Sequence, residues 1–275
     1  MKRVLYLLFL TLFISSTVNA NSFSEYVSNL IPGEGDTEVS IDLRENHSPD
    51  YSILMVRELD SNEDSNYFTQ LSLFNTEKND DDRIVVNIGL GKRFLNDEKT
   101  SFTGLNVFFD YDDKGNARSS IGLEMRNAVL DLALNNYFGL DDADGEKVLD
   151  GYDLRFASQI PFIHWADIFV NSYSWDGVNR DDVEGMAYGL DLSLTSNFQL
   201  EYAYDDKDKK GLEDEYYAKL IFIYPPKDGP TLGDGFSSKM WRAKTDMSGE
   251  LLTKVKRNNK IFVEFAGNAT ISRLD

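Results

Sequence analysis

The chain has 275 residues, with 28 Lys and Arg against 47 Asp and Glu and a formal net charge of −19 at pH 7. That length suits one large β domain, and the acidity argues against nucleic acid as a partner, because phosphate is neutralised by Lys and Arg. No cysteine is present, which removes disulfide frameworks, cysteine metal sites and thiol catalysis; the two histidines, His47 and His164, lie far apart in sequence, so histidine-based zinc chemistry and a Ser–His triad are poorly supplied.

Residues 1–20 read as a secretory signal peptide. Lys2 and Arg3 form a positive start, Val4 to Ile14 an apolar core, and Val18-Asn19-Ala20 places small residues where a signal peptidase cuts. Cleavage is expected after Ala20, with export into a Gram-negative envelope; an uncleaved membrane anchor is the alternative. No later apolar run reaches the roughly eighteen residues of a membrane helix. Residues 21–36 then form a periplasmic N-terminal segment.

From residue 37 onward polarity changes with period two, as it does when successive side chains of a strand face opposite ways. Ile84, Val86, Ile88 and Leu90 alternate with Asn87, Gly89, Gly91 and Arg93. Leu105, Val107, Phe109 and Tyr111 alternate with Gly104, Asn106, Phe108 and Asp110. Ile121, Leu123 and Met125 alternate with Glu124 and Arg126, and Leu130, Leu132 and Leu134 with Asp131. Met186, Tyr188, Leu190 and Leu192 alternate with Ala187, Gly189 and Asp191, and Phe198, Leu200, Tyr202 and Tyr204 with Gln199 and Glu201. The parity is less clear in 51–58 and 163–175.

A soluble sandwich also alternates, with its apolar face inward. Two features favour a membrane barrel instead. The clear segments run about ten residues, the length that crosses a bilayer at a tilt, and Tyr111, Phe138, Tyr204 and Tyr224 stand at the ends of apolar stripes, as in an interfacial girdle. The spacing predicts about twelve strands, near 37–44, 51–59, 66–77, 82–95, 99–112, 116–126, 127–140, 151–160, 163–175, 183–194, 197–206 and 212–224. Tight connections at Arg126-Asn127, Pro161-Phe162 and Thr195-Ser196 alternate with longer acidic links at 141–150, 176–182 and 207–211. Because periplasmic turns are short and external loops long, this phase puts the start of the first strand in the periplasm. The expected fold is therefore all-β, a single transmembrane antiparallel up-and-down barrel over 37–225 with a C-terminal segment over 226–275. Asn87, Arg93, Asn106, Asp110, Glu124, Arg126, Asp131, Asp191 and Glu201 fall on the polar parity and are expected to face the lumen.

The acidic runs Asp80-Asp81-Asp82 and Asp141-Asp142-Ala143-Asp144 read as solvated loop tips. Calcium is the sharper alternative, but Asp142-Ala143-Asp144-Gly145 is only a fragment of an EF-hand loop. No metal, cofactor or catalytic residue is expected.

Several ordered stretches resemble the β-domain of the inverse autotransporters, the intimin and invasin family. They are Asn87-Ile88-Gly89-Leu90-Gly91-Lys92-Arg93-Phe94, Gly104-Leu105-Asn106-Val107-Phe108-Phe109-Asp110, Arg118-Ser119-Ser120-Ile121-Gly122-Leu123-Glu124, Asn136-Tyr137-Phe138, Gly151-Tyr152-Asp153-Leu154-Arg155 and Val255-Lys256-Arg257-Asn258-Asn259-Lys260-Ile261. Single motifs are unspecific; their order over about residues 25 to 265 is fairly specific. The resemblance implies a twelve-stranded barrel with a periplasmic N-terminus, a short periplasmic helix near 22–31 (Phe23, Tyr26, Val27 and Leu30 have helical spacing), and a linker over 247–265 that runs up the pore. In that linker Lys254, Lys256, Arg257, Asn258, Asn259 and Lys260 would meet the lumen, the cations pairing with acids such as Asp110, Glu124, Asp191 and Glu201. It also implies outer-membrane lipid, the barrel-assembly machinery and periplasmic chaperones as partners, with no surface ligand specified. Two departures stand out. The sequence ends at Asp275, so immunoglobulin-like passenger repeats of roughly 100 residues are not expected, and Gly139-Leu140-Asp141 replaces the family's Ser-Gly-Trp after the seventh strand.

The leading functional expectation is an outer-membrane barrel, passenger-free, displaying or plugged by its own C-terminal segment. A porin-like channel for small cations or solutes is the alternative, since a twelve-stranded lumen lies between a packed barrel and an open porin. A lipid hydrolase would need a nucleophile beside His164 and a third orienting group, and the sequence supplies no such constellation.

Overall fold

The structure is a computed structural model that describes residues 32–45, 47–78, 81–208 and 214–265. The signal peptide, the cut after Ala20 and the helical spacing at 22–31 lie outside the described residues. The strands in chain order are β1 (Thr37–Arg44), β2 (Asp50–Ser61), β3 (Ser65–Lys78), β4 (Asp81–Leu95), β5 (Ser101–Asp112), β6 (Ala117–Asn127), β7 (Leu130–Asp141), the short β8 (Glu146–Val148), β9 (Gly151–Ile160), β10 (Ile163–Trp175), β11 (Val183–Ser193), β12 (Phe198–Lys207), β13 (Glu215–Tyr224) and the short β14 (Val263–Phe265). Among the described residues twelve of them close an antiparallel barrel in which each pairs with its neighbour in sequence, β7 pairs with β9 past β8, and β1 pairs with β13. Closure leaves no strand edge unpaired, the condition for crossing lipid with strands.

The outward stripe is apolar and exposed: Val86, Ile88, Leu90, Leu105, Val107, Ile121, Leu123, Leu132 and Leu134 all present large side chains away from the lumen. Tyr111, Phe138, Tyr152, Tyr204 and Tyr216 stand near the long-loop ends of their strands, and Tyr67, Phe94, Phe198 and Tyr224 near the short-turn ends. These are the two levels at which amphipathic rings meet headgroups.

The two stretches of unclear alternation carry apolar residues on the inward face, Leu54 and Val56 in β2 and Phe169, Tyr173 and Trp175 in β10, and each strand also has a bulge. In β10 the pairing with β9 shifts register between Ile163 and Asp167, and in β2 the pairing with β3 shifts between Glu58 and Asp60. A bulge adds residues to one strand and breaks the parity. Val56 and Arg57 are both buried, because Val56 faces the lumen while Arg57 lies under the segment before β1, donating to the Asp36 carbonyl at 2.9 Å and Thr37 Oγ1 at 2.7 Å. That segment continues the ladder along β2 through Val56 N–H to Asp36 O and Glu58 N–H to Glu34 O. Gly35 permits it: its φ is +134°, and a Cβ there would lie 2.1 Å from the Val56 carbonyl oxygen.

The turns that alternation left approximate are set by side chains. β7 begins at Leu130 rather than 127 because the Asn127 carboxamide accepts the Val129 and Leu130 amides. β5 begins at Ser101 rather than 99 because Asn96 does the same for Thr100 and Ser101.

After β13 the chain does not enter the lumen at once. It follows the short-turn rim: Lys227 N–H reaches Ser196 O, Ser237 N–H reaches Phe162 O, Phe162 N–H reaches Met240 O and Met247 N–H reaches Lys99 O. Arg242–Asp167 at 2.6 Å and Lys244–Glu98 at 3.3 Å hold this arc from the side.

Candidate functional site

The inward face is not simply small and polar. Phe68, Phe108, Phe169 and Trp175 point into the barrel and are buried. Room for them comes from residues without side chains on adjoining strands: a Cβ at Gly89 would sit 2.2 Å from Phe108 Cε1, so the glycine lets the ring lie flat on the neighbouring strand. Leu54, Val56, Phe68 and Phe108 thereby form an apolar band that packs against Val255.

Val255 belongs to the segment that crosses the lumen from the short-turn rim to the long-loop end. An extended strand with no ladder partner must find other acceptors and donors for its backbone, and here the barrel wall supplies them. Met247 and Leu251 pack with Phe102 at the lower end. Arg93 donates through Nη1 to the carbonyls of Leu251 (2.7 Å) and Thr253 (2.8 Å) while Nε and Nη2 grip Glu124 at 2.7 and 3.0 Å. Its guanidinium lies over the Phe68 ring at 4.4 Å. The Val255 amide donates to Gln70 Oε1 (2.8 Å), Asn135 donates to the Lys256 carbonyl (2.9 Å), and Arg118 donates to the Asn258 carbonyl (3.0 Å). The Asn258 amide donates to the Tyr137 hydroxyl at 2.8 Å, which itself donates to Asp153 at 2.5 Å.

Charge fixes the register of this segment. Arg257 and Arg118 share the Asp110 carboxylate at 2.7 and 2.8 Å, all three side chains being inaccessible to solvent. Lys254 pairs with Glu38 at 2.6 Å, Lys256 with Asp191 at 3.3 Å and Lys260 with Asp50 at 2.8 Å.

Above these pairs Phe262 stacks on Trp175, centroids 4.0 Å apart, and the chain becomes β14, which pairs antiparallel with β8. The β7–β9 loop that carries β8 is tied down by Arg83, which bonds Glu146 and also Asp112 (3.1 Å), and by Asn116, which donates to Asp112 (2.8 Å) and Glu146 (2.6 Å). On its other side, Glu264 accepts the Val178 and Asn179 amides of the β10–β11 loop at 2.9 and 3.1 Å. Burial pushes the Glu264 carboxyl up, but these backbone donors, with the Asn179 side chain and the Arg180 charge, outweigh it and hold the group below the usual glutamate value.

Of the residues on the polar parity, Asp110 and Asp191 meet linker cations, and Asn87 reaches both Asp110 (2.7 Å) and the Asn259 carbonyl (3.1 Å). Arg126 bonds Thr253 Oγ1 at 2.7 Å and pairs with Asp131 at 2.8 Å. The Asn106 side-chain amide is buried with no hydrogen-bond partner among the described residues. The expected pairing of linker cations with Glu124 and Glu201 is replaced by other contacts. Glu124 is held by Arg93, and Glu201 accepts from the Tyr217 hydroxyl at 3.1 Å with Arg155 3.9 Å away. Lys254 and Lys260 turn instead to β1 and β2, reaching Glu38 and Asp50. Glu38, Asp50, Gln70, Arg118, Asn135, Tyr137 and Asp153 were the residues missed. Arg118, Asn135, Tyr137 and Asp153 carry the inward parity of their strands and could have been found that way. Asp142, in the EF-hand-like fragment, accepts from Lys147 (2.6 Å) and the Val148 amide (2.7 Å), so it caps β8. His164 lies 2.9 Å from the Lys239 carbonyl and helps hold the rim arc.

The inverse autotransporter β-domain family matches residues 10–259. Among solved structures, one described in work on the in-meso crystallization of membrane proteins superposes with a TM-score of 0.65 at 19% identity, covering 84% of this chain and 99% of that one. An outer membrane channel from Pseudomonas putida gives a TM-score of 0.49 at 10% identity, over 70% of this chain and 97% of that one. Outer membrane phospholipase A from Escherichia coli gives 0.45 at 9% identity, over 73% and 95%. The first likeness shows the shared barrel fold. No curated protein matches the chain.

Proposed function

Because the chain belongs to the inverse autotransporter β-domain family and is an outer-membrane β-barrel, we propose that it works as a translocator whose own C-terminal segment threads and plugs the lumen, delivering the chain beyond it to the cell surface. The observation that supports this reading is the continuous set of wall contacts along residues 247–262, ending at β14 on the long-loop end. Short turns belong to the periplasmic side of such barrels and long loops to the outside, so the segment runs outward. Residues 1–20 act as the export signal, cut after Ala20. The apolar stripe meets outer-membrane lipid, and the barrel-assembly machinery with periplasmic chaperones receives and inserts the exported chain. The reading assigns no catalytic step to the protein; His164 serves the rim arc.

The absence of cysteine from the sequence makes a direct test clean. Phe265→Cys should react with a membrane-impermeant maleimide on intact cells, while Met240→Cys on the rim arc should react only after the outer membrane is permeabilised. Labelling of Met240→Cys from outside, or no labelling of Phe265→Cys on intact cells, would refute the orientation and the threading together.

A further inference from the structure

The linker fills the lumen unevenly. Towards β4–β7 it is packed against Phe108, Arg118 and Tyr137. Apart from Val255 on the β2 band and the lysine bridges, it leaves two cavities between itself and the rest of the wall. The lower, of about 1080 Å³, opens at the short-turn rim and is lined by acids including Asp36, Asp131, Asp167, Asp191 and Glu250. The upper, of about 230 Å³, is lined by acids such as Asp42, Asp50 and Glu201 and by bases such as Arg44, Arg155 and Lys219. Glu38, Lys254 and Lys256 line both.

We propose that Lys254 and Lys256 are the gate of a second, ion-conducting path that runs beside the linker and passes small monovalent cations when open. The gate rests on the reading of residues 247–262 as the lumen plug, and it adds a function to it. Each ammonium reaches from the linker to a wall carboxylate, Lys254 to Glu38 at 2.6 Å and Lys256 to Asp191 at 3.3 Å, and both side chains stand where the two cavities adjoin. A lysine is a compact charge on a flexible stem, so these bridges can break without displacing the linker. The linker backbone is held independently by Arg93, Gln70, Asn135 and Arg118 on the opposite side. With the ammonium groups withdrawn, the narrow point presents Glu38 and Asp191, the latter still held by Arg155 at 2.7 Å, and the lower cavity feeding it carries more acids than bases. A pore ringed by carboxylates favours cations.

The test is the conductance of the purified full chain in planar bilayers under a potassium chloride gradient, with heat-modifiable migration confirming that each variant folds. The natural chain should hold a closed baseline. Lys254→Ala combined with Lys256→Ala should carry a steady ohmic current smaller than that of a chain lacking 247–265, with the reversal potential shifted towards the potassium equilibrium value. Lys244→Ala, on the rim arc, should stay closed. If the deletion itself does not conduct, the plug reading fails and takes the gate with it. If the deletion conducts and the folded double variant stays closed, the gate alone is wrong. A natural chain as conductive as the double variant, a double variant matching the deletion, current in Lys244→Ala, or anion preference would each overturn the proposal.

Discussion

At the scale of single residues, Asp110 has the largest consequence. Its carboxylate is the common counter-ion of Arg118 on the wall and Arg257 on the linker, with no solvent access to any of the three. Removing one partner of a buried pair leaves uncompensated charge, at a cost of about 3–5 kcal/mol. Asp110→Asn keeps the shape and leaves two guanidinium groups facing one another. The expected outcome is a loss of stability of that order in denaturant titrations of the barrel in detergent, with hydrogen exchange rising first along 254–260. Adding Arg257→Met should recover part of the loss; a double variant no better than the single one would show that the linker side of the pair is unimportant. The inward position of Asp110 was legible from strand parity, and its neighbour Phe108 on the same strand face was visible too. That Arg257 is the linker cation to arrive there was not, because it depends on where the chain enters the lumen.

Among elements, the pairing of β14 with β8 was not foreseen: 141–150 read as an acidic link, and a three-residue strand is too short for alternation to register. Its partner lies over a hundred residues away in sequence, which no local pattern reports. Glu264 gives this element a pH dependence. Its folded-state pKa is depressed, so it contributes stability that is fully present above the ordinary glutamate value of 4.5 and is lost as pH falls through the lower folded value. In a Trp165→Phe/Trp241→Phe background, the fluorescence of Trp175, which stacks on Phe262, should hold steady down through pH 4.5 and change only in stronger acid. Glu264→Gln should remove that transition; an identical transition in both chains would assign it to other acids.

The barrel reverses much of the layout of a soluble protein, with most of its buried ion pairs in the lumen and a wide stripe of Leu, Ile and Val on the outside. Leu123 illustrates it, standing half exposed between Leu105 and Leu134 in the cross-strand register. Arginine on the lipid face near the bilayer midplane costs about 2–4 kcal/mol. Leu123→Arg should therefore lower the folded fraction recovered in lipid vesicles by a matching amount in urea titrations, with a smaller effect in detergent micelles. An unaffected Leu123→Arg barrel would mean that this face does not meet hydrocarbon.

The twelve barrel strands, the two faces of most of them and the class of fold could be read from the chain alone, because lipid imposes a repeating demand on spanning strands and tight or long turns leave local marks. The tertiary structure decided the bulges at Glu58 and Ile163, the path of 226–246 around the rim, the closing of β8 on β14 and the partners of the linker lysines. Lys254 meets Glu38 across 216 positions of sequence, and the parity of a strand states which way a side chain points, not what the rest of the chain brings opposite it.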